Sequence, residues 1–522
     1  MDTKLTVPIA AKDIDQAIGQ AKAAQTAGAE MLELRFDYLE ELSVELAEKL
    51  INEVKATAKL PLIATCRDTQ QGGAKDYPLN LRVEVLVAAL KAGAEFIDFE
   101  YENFLLPQIQ GKITAAVAQS LSGKLILSIH NFESKFDNIS KLHRHVFTLY
   151  PAAIPKLVYT ANHINDCFEA FDLLHKTSEP CIAFCMGRAG LISRIIAKKL
   201  GCFVTFAALE EKTATAAGQL TIEQLKNLYR WDTIDTDTDL YGVIADPVAH
   251  SLSPAVHNAC FTQAKVNGLY LPLFVEGGKD EFDSFMRNVL LRDWLGFRGF
   301  SVTIPHKANA LDCVKEKEGV IEPLAEKIGA VNTLVIDKPQ TINHEPQISA
   351  YNTDYAGALD AVSSALKIKR KDLKDMPVAV IGAGGVARAI VAGLSDVGAR
   401  VKIYNRTVKR AEKLADEFGC DFASLDELAG LNAELLINCT SIGMHPKTDA
   451  SPVLKNHLKN DMVVFDTVYN PAETLLLKQA SDLGAKTIDG VSMFVNQACV
   501  QFKLFTGKKA NAELMRKTIK DN

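Results

Sequence analysis

Eight short apolar runs recur between residues 3 and 207, each separated from the next by a longer amphipathic stretch. They are Thr3–Ala10, Met31–Tyr38, Pro61–Arg67, Glu95–Tyr101, Lys124–His130, Ile154–Thr160, Cys181–Gly187 and Cys202–Ala207. Each is rich in Ile, Leu, Val and Phe and almost continuously apolar, the pattern of parallel strands covered on both faces. Stretches such as Leu79–Lys91 and Ile195–Leu200 read as the helical spacers. Eight strands alternating with helices predict an α/β chain that opens with a (β/α)8 barrel. Such a barrel presents its reactive side chains at the C-terminal ends of its strands. Those ends carry Glu33, Arg35, Arg67, Glu100, His130, Lys156 and, beyond Gly187, Arg194. The fold expectation is therefore also an expectation of chemistry at one pole.

A chain of 522 residues exceeds one ordinary domain. Leu220–Leu240 is polar and rich in Thr and Asp, and it reads as a connector. The strand rhythm restarts at Tyr241-Gly242-Val243-Ile244, and again at Pro377-Val378-Ala379-Val380-Ile381 after the charged segment Lys367–Lys374. The expected division is a barrel over 1–225, a linker over 226–240, a substrate domain over 241–366 with 491–522 returning to it, and a Rossmann-type nucleotide domain over 367–490.

The net charge of −6 gives no electrostatic reason to expect nucleic acid or anionic membrane as a partner. No apolar run reaches the roughly 18–20 residues that span a bilayer. Met1–Ala10 lacks a basic stretch followed by an apolar core, so no secretory signal is expected. Ten cysteines stand singly, as buried small hydrophobes of a reducing compartment would. Asn405-Arg406-Thr407 and Asn438-Cys439-Thr440 match the glycosylation pattern, which carries no weight without that signal. No cluster at metal-ligand spacing stands out, so no metal is expected. His143 and His145 read as a solvated surface.

Lys156 lies inside the apolar run Ile154-Pro155-Lys156-Leu157-Val158-Tyr159. Burial disfavours an ammonium and so favours the free amine that a Schiff-base nucleophile requires. His130, ending the preceding run, offers a general acid/base, while Arg35, Arg67 and Arg194 offer forks for a carboxylate. With Glu33-Leu34-Arg35, Thr65-Cys66-Arg67, Ser128-Ile129-His130, Pro155-Lys156, Met186-Gly187-x-x-Gly190-x-x-Ser193-Arg194 and Ala217-Gly218-Gln219, residues 5–223 resemble type I 3-dehydroquinate dehydratase. The resemblance implies that Lys156 forms an imine with the substrate ketone. His130 would remove the adjacent carbon-bound proton and then protonate the departing hydroxyl. Arg194 would hold the ring carboxylate, and Glu33, Arg35, Arg67, Thr215 and Gln219 would position hydroxyls. Three positions depart from the family pattern. Gln71 and Asn131 stand where acids are usual, and Thr215-Ala216-Ala217-Gly218-Gln219 replaces the usual Ser-Ala-Pro-Gly-Gln. Loss of the two acids should stabilise an imidazolium at His130 less, giving an active but slower dehydratase.

Gly382-Ala383-Gly384-Gly385-Val386 lies between an apolar run and a helical stretch, as a dinucleotide-binding turn does. The next run ends in Asn405-Arg406-Thr407, with Arg410 one turn on. Cations there suit a 2′-phosphate, so NADP is expected over NAD. Upstream stand Ser251-Leu252-Ser253, Ser301-Val302-Thr303-Ile304-Pro305-His306-Lys307, Gly329-Ala330-Val331-Asn332-Thr333 and Tyr351-Asn352-Thr353-Asp354. An extended segment would put the hydroxyls of Ser251 and Ser253 on one face. With Asp466-Thr467-Val468-Tyr469-Asn470-Pro471 and Asp489-Gly490-Val491-Ser492-Met493-Phe494-Val495-x-Gln497, residues 241–507 resemble shikimate dehydrogenase. The resemblance implies a catalytic pair of Lys307 and Asp354 and a carboxylate held by Ser251 and Ser253. Thr303, Asn332, Tyr469 and Gln497 would surround the ring, and Thr467 and Gly490 would line the cofactor. His250 and His306 are expected to be structural or peripheral.

Together the halves imply dehydration of 3-dehydroquinate to 3-dehydroshikimate, then NADPH-dependent reduction to shikimate. Small molecules are the expected partners, with no obligate protein partner. A cytoplasmic location is expected, with a processed plastid form as the alternative. Quinate dehydrogenation, or a metabolite sensor with an impaired lyase half, are the competing possibilities.

Overall fold

The computed structural model describes residues 2–249, 251–338 and 346–521. Its strands β1 to β8 are Lys4–Ile9, Met31–Arg35, Leu62–Thr65, Phe96–Glu100, Lys124–Asn131, Ile154–Thr160, Ile182–Met186 and Val204–Phe206. All pair in parallel, in the order β7-β6-β5-β4-β3-β2-β1-β8. The remaining seam carries a Phe203 N–H bond to the Cys181 carbonyl at 2.8 Å, making a nearly closed eight-stranded barrel. The spacer Leu79–Lys91 is a helix, but Ile195–Leu200 is not. The Ser193 hydroxyl donates to the Gly190 carbonyl and accepts from Cys185 N–H, so the helix forms earlier, over Leu191–Ile195, and a turn follows.

The chain forms two compact units, one of residues 1–239 with Asn267–Glu276, the other of Leu240–Val266 with 277–522. The expected linker over 226–240 is anchored by the buried Tyr229, Trp231, Ile234 and Thr238, while Asp232, Thr233, Asp235, Thr236 and Asp237 are exposed. Trp231 is fully buried, its indole N–H 3.4 Å from a Glu30 carboxylate oxygen and its ring 5.5 Å from Lys198 Nζ. Asp235 accepts from Thr238 and Asn267, so the polar residues satisfy one another. Strands β9 (Asp239–Ala245) and β10 (Gly268–Phe274) follow. The β10 segment belongs to the first unit, a division that the sequence rhythm does not reveal. Within that unit Arg230 donates to the Gly268 carbonyl and Arg188 lies 4.3 Å from the Phe274 ring centroid.

In the second unit β11 (Phe297–Val302), β12 (Val320–Ile321), β13 (Thr333–Ile336) and β14 (Ile348–Tyr351) form a mixed sheet. There β9 and β11 run parallel, β13 is antiparallel to both β11 and β14, and β12 edges β14. The last sheet comprises β15 (Pro377–Ile381), β16 (Arg400–Asn405), β17 (Asp421–Ser424), β18 (Leu435–Asn438), β19 (Val463–Asp466) and β20 (Lys486–Ile488). Its order β17-β16-β15-β18-β19-β20 is wholly parallel and reverses direction at β15. A doubly wound sheet of this kind opens its ligand crevice at the carboxyl ends beside that switch. Helices Thr353–Leu366 and Gly490–Thr506 pack tightly: a Cβ on Gly357 would lie 2.9 Å from Gln497 Cβ. Among the described residues no helix is long and apolar enough to cross a membrane, and no group of three or more His, Cys, Asp or Glu could hold a metal ion. His143 is half-buried, against the expectation of a solvated residue, and burial lowers its pKa; His145 is exposed.

Candidate active sites

Parallel register places Ser128 of β5 beside Lys156 of β6, so His130 projects from the same face as Lys156, one pleat nearer the C-terminal pole. Lys156 is buried, but not alone. Its Nζ donates to Asp98 Oδ2 at 2.7 Å, lies 3.9 Å from Glu33 Oε1, and stands 4.6 Å from the Phe206 ring centroid. Burial alone would raise the Asp98 carboxyl, yet the Arg67 and Lys156 cations hold it well below the usual carboxylate range.

His130 is half-buried, with Nδ1 3.0 Å from Gln71 Oε1 and its ring stacked on Phe132 at 5.9 Å. Burial, with the nearby charges of Arg67 and Lys156, pushes its pKa well below 6.5. A neutral imidazole giving its Nδ1–H to the Gln71 carbonyl leaves Nε2 as a free base. Gln71 reaches the ring because Gly72 turns at φ +82° and Gly73 backs onto the Arg67 carbonyl, 2.1 Å from where a Cβ would stand. Asn131 does not engage the imidazole: its side chain accepts from the backbone N–H groups of Glu133 and Ser134.

Three arginines were expected to offer forks, and only one has a fork to spare. Arg35 is bidentate to Asp37, at 2.9 and 2.7 Å. Arg67 binds Asp98 at 2.8 Å, Glu100 at 3.1 Å and the Ser128 hydroxyl at 2.6 Å. Arg35 and Arg67 are therefore paired with carboxylates of the chain itself, which hold the pole together. Arg194 is buried, has no ion pair among the described residues, and its Nε has no hydrogen-bond partner. Its guanidinium stacks 4.5 Å from the Phe184 centroid, and burial lowers its pKa to about 10. The Phe184 and Phe206 rings, 5.9 Å apart, lie between Arg194 and Lys156. Gln219 accepts from Thr215 N–H at 2.8 Å, while its Nε2 is buried without a partner. Gly218, at φ +74°, brings that loop against the end of β7, where the Gly187 N–H donates to the Ala217 carbonyl at 3.2 Å. Two buried donors at one pole thus lack acceptors, which the protein normally supplies. Glu33 accepts from the Thr65 hydroxyl at 2.9 Å. Asp37, Arg82 and Asp98 were missed from sequence, and Glu100 was placed at the pole without a role.

In the second unit Lys307 Nζ donates to Asp354 Oδ2 at 2.5 Å. Asn332 Nδ2 donates to Asp354 Oδ1 at 2.9 Å and to the Thr353 hydroxyl at 3.0 Å. Its Oδ1 accepts from Thr353 N–H at 2.7 Å. The amide of Asn332 is thus spent on positioning Asp354. Gln497 Oε1 accepts from the Thr353 hydroxyl at 3.3 Å, and Tyr469 stacks on Phe494 at 5.4 Å. Thr303 N–H donates to the Ile244 carbonyl at 3.0 Å. Ser251 and Ser253 do not share an extended segment. Pro254 fixes the start of the helix Ser253–Gln263, so Ser253 is already helical and its N–H bonds the Ser251 hydroxyl at 3.3 Å. His306 is fully buried against Phe282, and His250 lies outside the described residues.

The expected dinucleotide turn has room for a ligand. Gly382 needs its φ of +112°, and a Cβ on Gly384 or Gly385 would meet nothing within 4 Å. Ala383 and Val386 flank them, and the helix Gly385–Asp396 begins here with free N–H groups. Asn405 Nδ2 donates to the Thr407 carbonyl at 2.9 Å, which turns the chain at the end of β16. Arg406 and Arg410 are exposed there, with no carboxylate partner among the described residues. Thr467 donates through N–H and hydroxyl to the Asn438 carbonyl, and a Cβ on Gly490 would stand 2.3 Å from the Val468 carbonyl.

Residues 5–236 match the model of type I 3-dehydroquinase. Residues 243–334 match the shikimate dehydrogenase substrate binding domain, 364–471 the shikimate/quinate 5-dehydrogenase model, and 490–520 the shikimate 5′-dehydrogenase C-terminal domain. A chloroplastic bifunctional 3-dehydroquinate dehydratase/shikimate dehydrogenase of Arabidopsis thaliana is 36% identical, over 98% of this chain and 83% of its own length. An NADP(+) shikimate dehydrogenase of Methanosarcina barkeri is 41% identical, over 54% of this chain and 97% of its own. A solved dehydroquinate dehydratase and shikimate dehydrogenase from S. pombe is 25% identical and covers 99% of this chain and 98% of its own, with a TM-score of 0.45. The chain belongs to the family of bifunctional 3-dehydroquinate dehydratase/shikimate dehydrogenases.

Proposed function

We propose that the two poles run consecutive steps of the shikimate pathway, with Lys156 and His130 serving the first and Lys307 and Asp354 the second. The observation that carries the lyase assignment is a buried lysine one strand from a histidine whose Nδ1 meets Gln71, with a buried arginine that has no ion pair among the described residues. Arg194 takes the carboxylate of 3-dehydroquinate, and Nζ of Lys156 attacks the ketone carbon, releasing water and forming an imine. Nε2 of His130 removes the neighbouring proton; the C–H electron pair becomes a C=C bond as the C=N π pair moves onto nitrogen, giving an enamine. The same imidazolium then protonates the leaving hydroxyl, and hydrolysis frees 3-dehydroshikimate. Glu33, Thr215 and Gln219 orient hydroxyls around this exchange.

In the second unit, the open glycine turn and the unpaired cations after β16 fit a dinucleotide with a 2′-phosphate. NADPH held there supplies the hydride. The remaining work falls to this chain: Ser251 and Ser253 hold the carboxylate, while Thr303, Tyr469 and Gln497 surround the ring. Lys307 delivers a proton to the ketone oxygen, and Asp354, fixed by Asn332, keeps the ammonium aimed. We also propose a cytoplasmic location, supported by ten cysteines that are all free; imaging of a tagged chain checks it.

Two substitutions test these roles separately. Lys156→Met should abolish borohydride trapping with 3-dehydroquinate and leave shikimate oxidation intact. Asp354→Asn should lower shikimate oxidation by about 100-fold, the scale of general acid–base assistance, and leave dehydration intact. Trapping that survives in Lys156→Met, or full oxidation in Asp354→Asn, would remove the respective assignment.

A further inference from the structure

Asp98 touches the reacting nitrogen of the lyase and has no place in the exchange described above. Among the described residues it is the one carboxylate within hydrogen-bond distance of Lys156 Nζ, at 2.7 Å, since Glu33 lies at 3.9 Å. It is 1% exposed, and its second oxygen faces Arg67 Nη2 at 2.8 Å. Arg67 in turn binds Glu100, which binds the buried Arg82 at 2.9 Å, and Arg82 is held by Asp68. The carboxylate is thus clamped from behind by a chain of alternating charges drawn from the segment after β3, from β4 and from the helix Leu79–Lys91.

We propose that Asp98 is the fixed counter-ion of the lyase, ion-paired with the Lys156 ammonium before imine formation and with the protonated imine afterwards. The inference rests on the assignment of Lys156 made above. Reaction turns on that positive nitrogen. The C–H bond breaks because its electron pair flows into C=N⁺–H, and the C–O bond breaks as the pair returns. The nitrogen alternates between iminium and neutral enamine while Asp98 stays charged, so a fixed negative charge favours the iminium. Asp98 is not the proton acceptor. With two cations against it and its acidity strengthened, it is too weak a base to take the ammonium proton. That proton leaves by His130 or by water. The carboxylate's work is electrostatic, done by a group held in place before the charge needs it.

A counter-ion role separates imine formation from turnover, whereas a structural role lowers both together. In Asp98→Asn, borohydride trapping with 3-dehydroquinate should stay within about 2-fold of the unmodified chain. Dehydration should fall by about 100-fold, on the scale of one lost preorganised electrostatic contact. Exchange of the substrate's α-hydrogen with deuterated solvent should not slow in parallel, because C–H cleavage discharges the nitrogen, whereas C–O cleavage restores the positive charge that Asp98 stabilises. Shikimate oxidation by the same molecules normalises for the amount of chain, and the surviving trapping reports that the barrel is folded. Turnover within about 3-fold of normal would overturn the proposal, as would equal loss of trapping and turnover. If the variant does not fold, the borohydride-reduced adduct of the unmodified chain decides: Asp98 Oδ2 should remain within hydrogen-bond distance of Nζ, and a carboxylate turned away refutes the role. Trapping that survives Lys156→Met would instead remove the Lys156 assignment itself.

Discussion

Replacing Arg194 with methionine should make the barrel more stable and nearly inactive, because under the proposed function its charge, which has no ion pair among the described residues, is the one that meets the substrate carboxylate. The guanidinium is 2% exposed, its Nε has no hydrogen-bond partner among the described residues, and burial brings its pKa down from the ordinary guanidinium value to about 10. At 1.36 kcal/mol per tenfold, that shift represents about 3 kcal/mol by which the folded state disfavours the charge. The sign is fixed by the direction. Below about pH 10 the arginine is charged both folded and unfolded, so the whole penalty is present at neutral pH. Methionine removes the penalty and loses the stacking on Phe184, which is worth up to about 2 kcal/mol when desolvated. A net gain of about 1 kcal/mol remains, or roughly 2–4 °C in the melting temperature of the lyase half. Catalysis should move the other way. Removing one partner of a buried charge pair costs about 2–5 kcal/mol, hence roughly 30- to several thousand-fold in kcat/KM for 3-dehydroquinate. Calorimetry and steady-state dehydration assays on one preparation measure both. A lower melting temperature together with an unchanged KM would refute the reasoning. Arg35→Met is the contrast: it strands Asp37 and should destabilise by about 3–5 kcal/mol.

Gln71→Glu should move the acid limb of the dehydration pH profile upward by about one unit, since a carboxylate against Nδ1 favours the imidazolium of a residue that must be neutral to act as a base; an unmoved limb would mean Gln71 does not govern His130. Arg406→Asp should lower kcat/KM with NADP by about 100-fold and spare NAD, through loss of a charge-assisted contact and gain of repulsion; equal losses with both nucleotides would place the 2′-phosphate elsewhere.

The barrel was legible because each of its strands is a nearly continuous apolar run; Ile154–Thr160 coincides with its run, and no strand end departs from its run by more than three residues. Lys156 and His130 stood out for the opposite reason, as polar residues interrupting or ending such runs, whereas Arg194 stood out only through the motif around Gly187 and Gly190. What surrounds them was not. Asp98 meets Lys156 across 58 positions and Arg67 meets Ser128 across 61, pairings fixed by strand register rather than by local spacing. Hence the arginines Arg35 and Arg67, which looked like free forks, proved to be internally paired. In the Thr/Asp-rich stretch before Leu240 the polar residues are largely exposed, as a connector's would be, while Trp231 anchors it to the first unit through contacts with Glu30 and Lys198 that local spacing does not reveal. Ser251 and Ser253 misled because Pro254 starts a helix, which turns an apparent two-residue alternation into a turn.

The central claim is that one chain carries two consecutive activities at two separate sites, with Lys156 indispensable to the first alone. Supplying 3-dehydroquinate and NADPH to the unmodified chain and to Lys156→Met, and recording shikimate, tests it most directly. The unmodified chain should form shikimate; the variant should form none, yet reduce added 3-dehydroshikimate at the unmodified rate. Shikimate made from 3-dehydroquinate by the Lys156→Met chain would contradict the account.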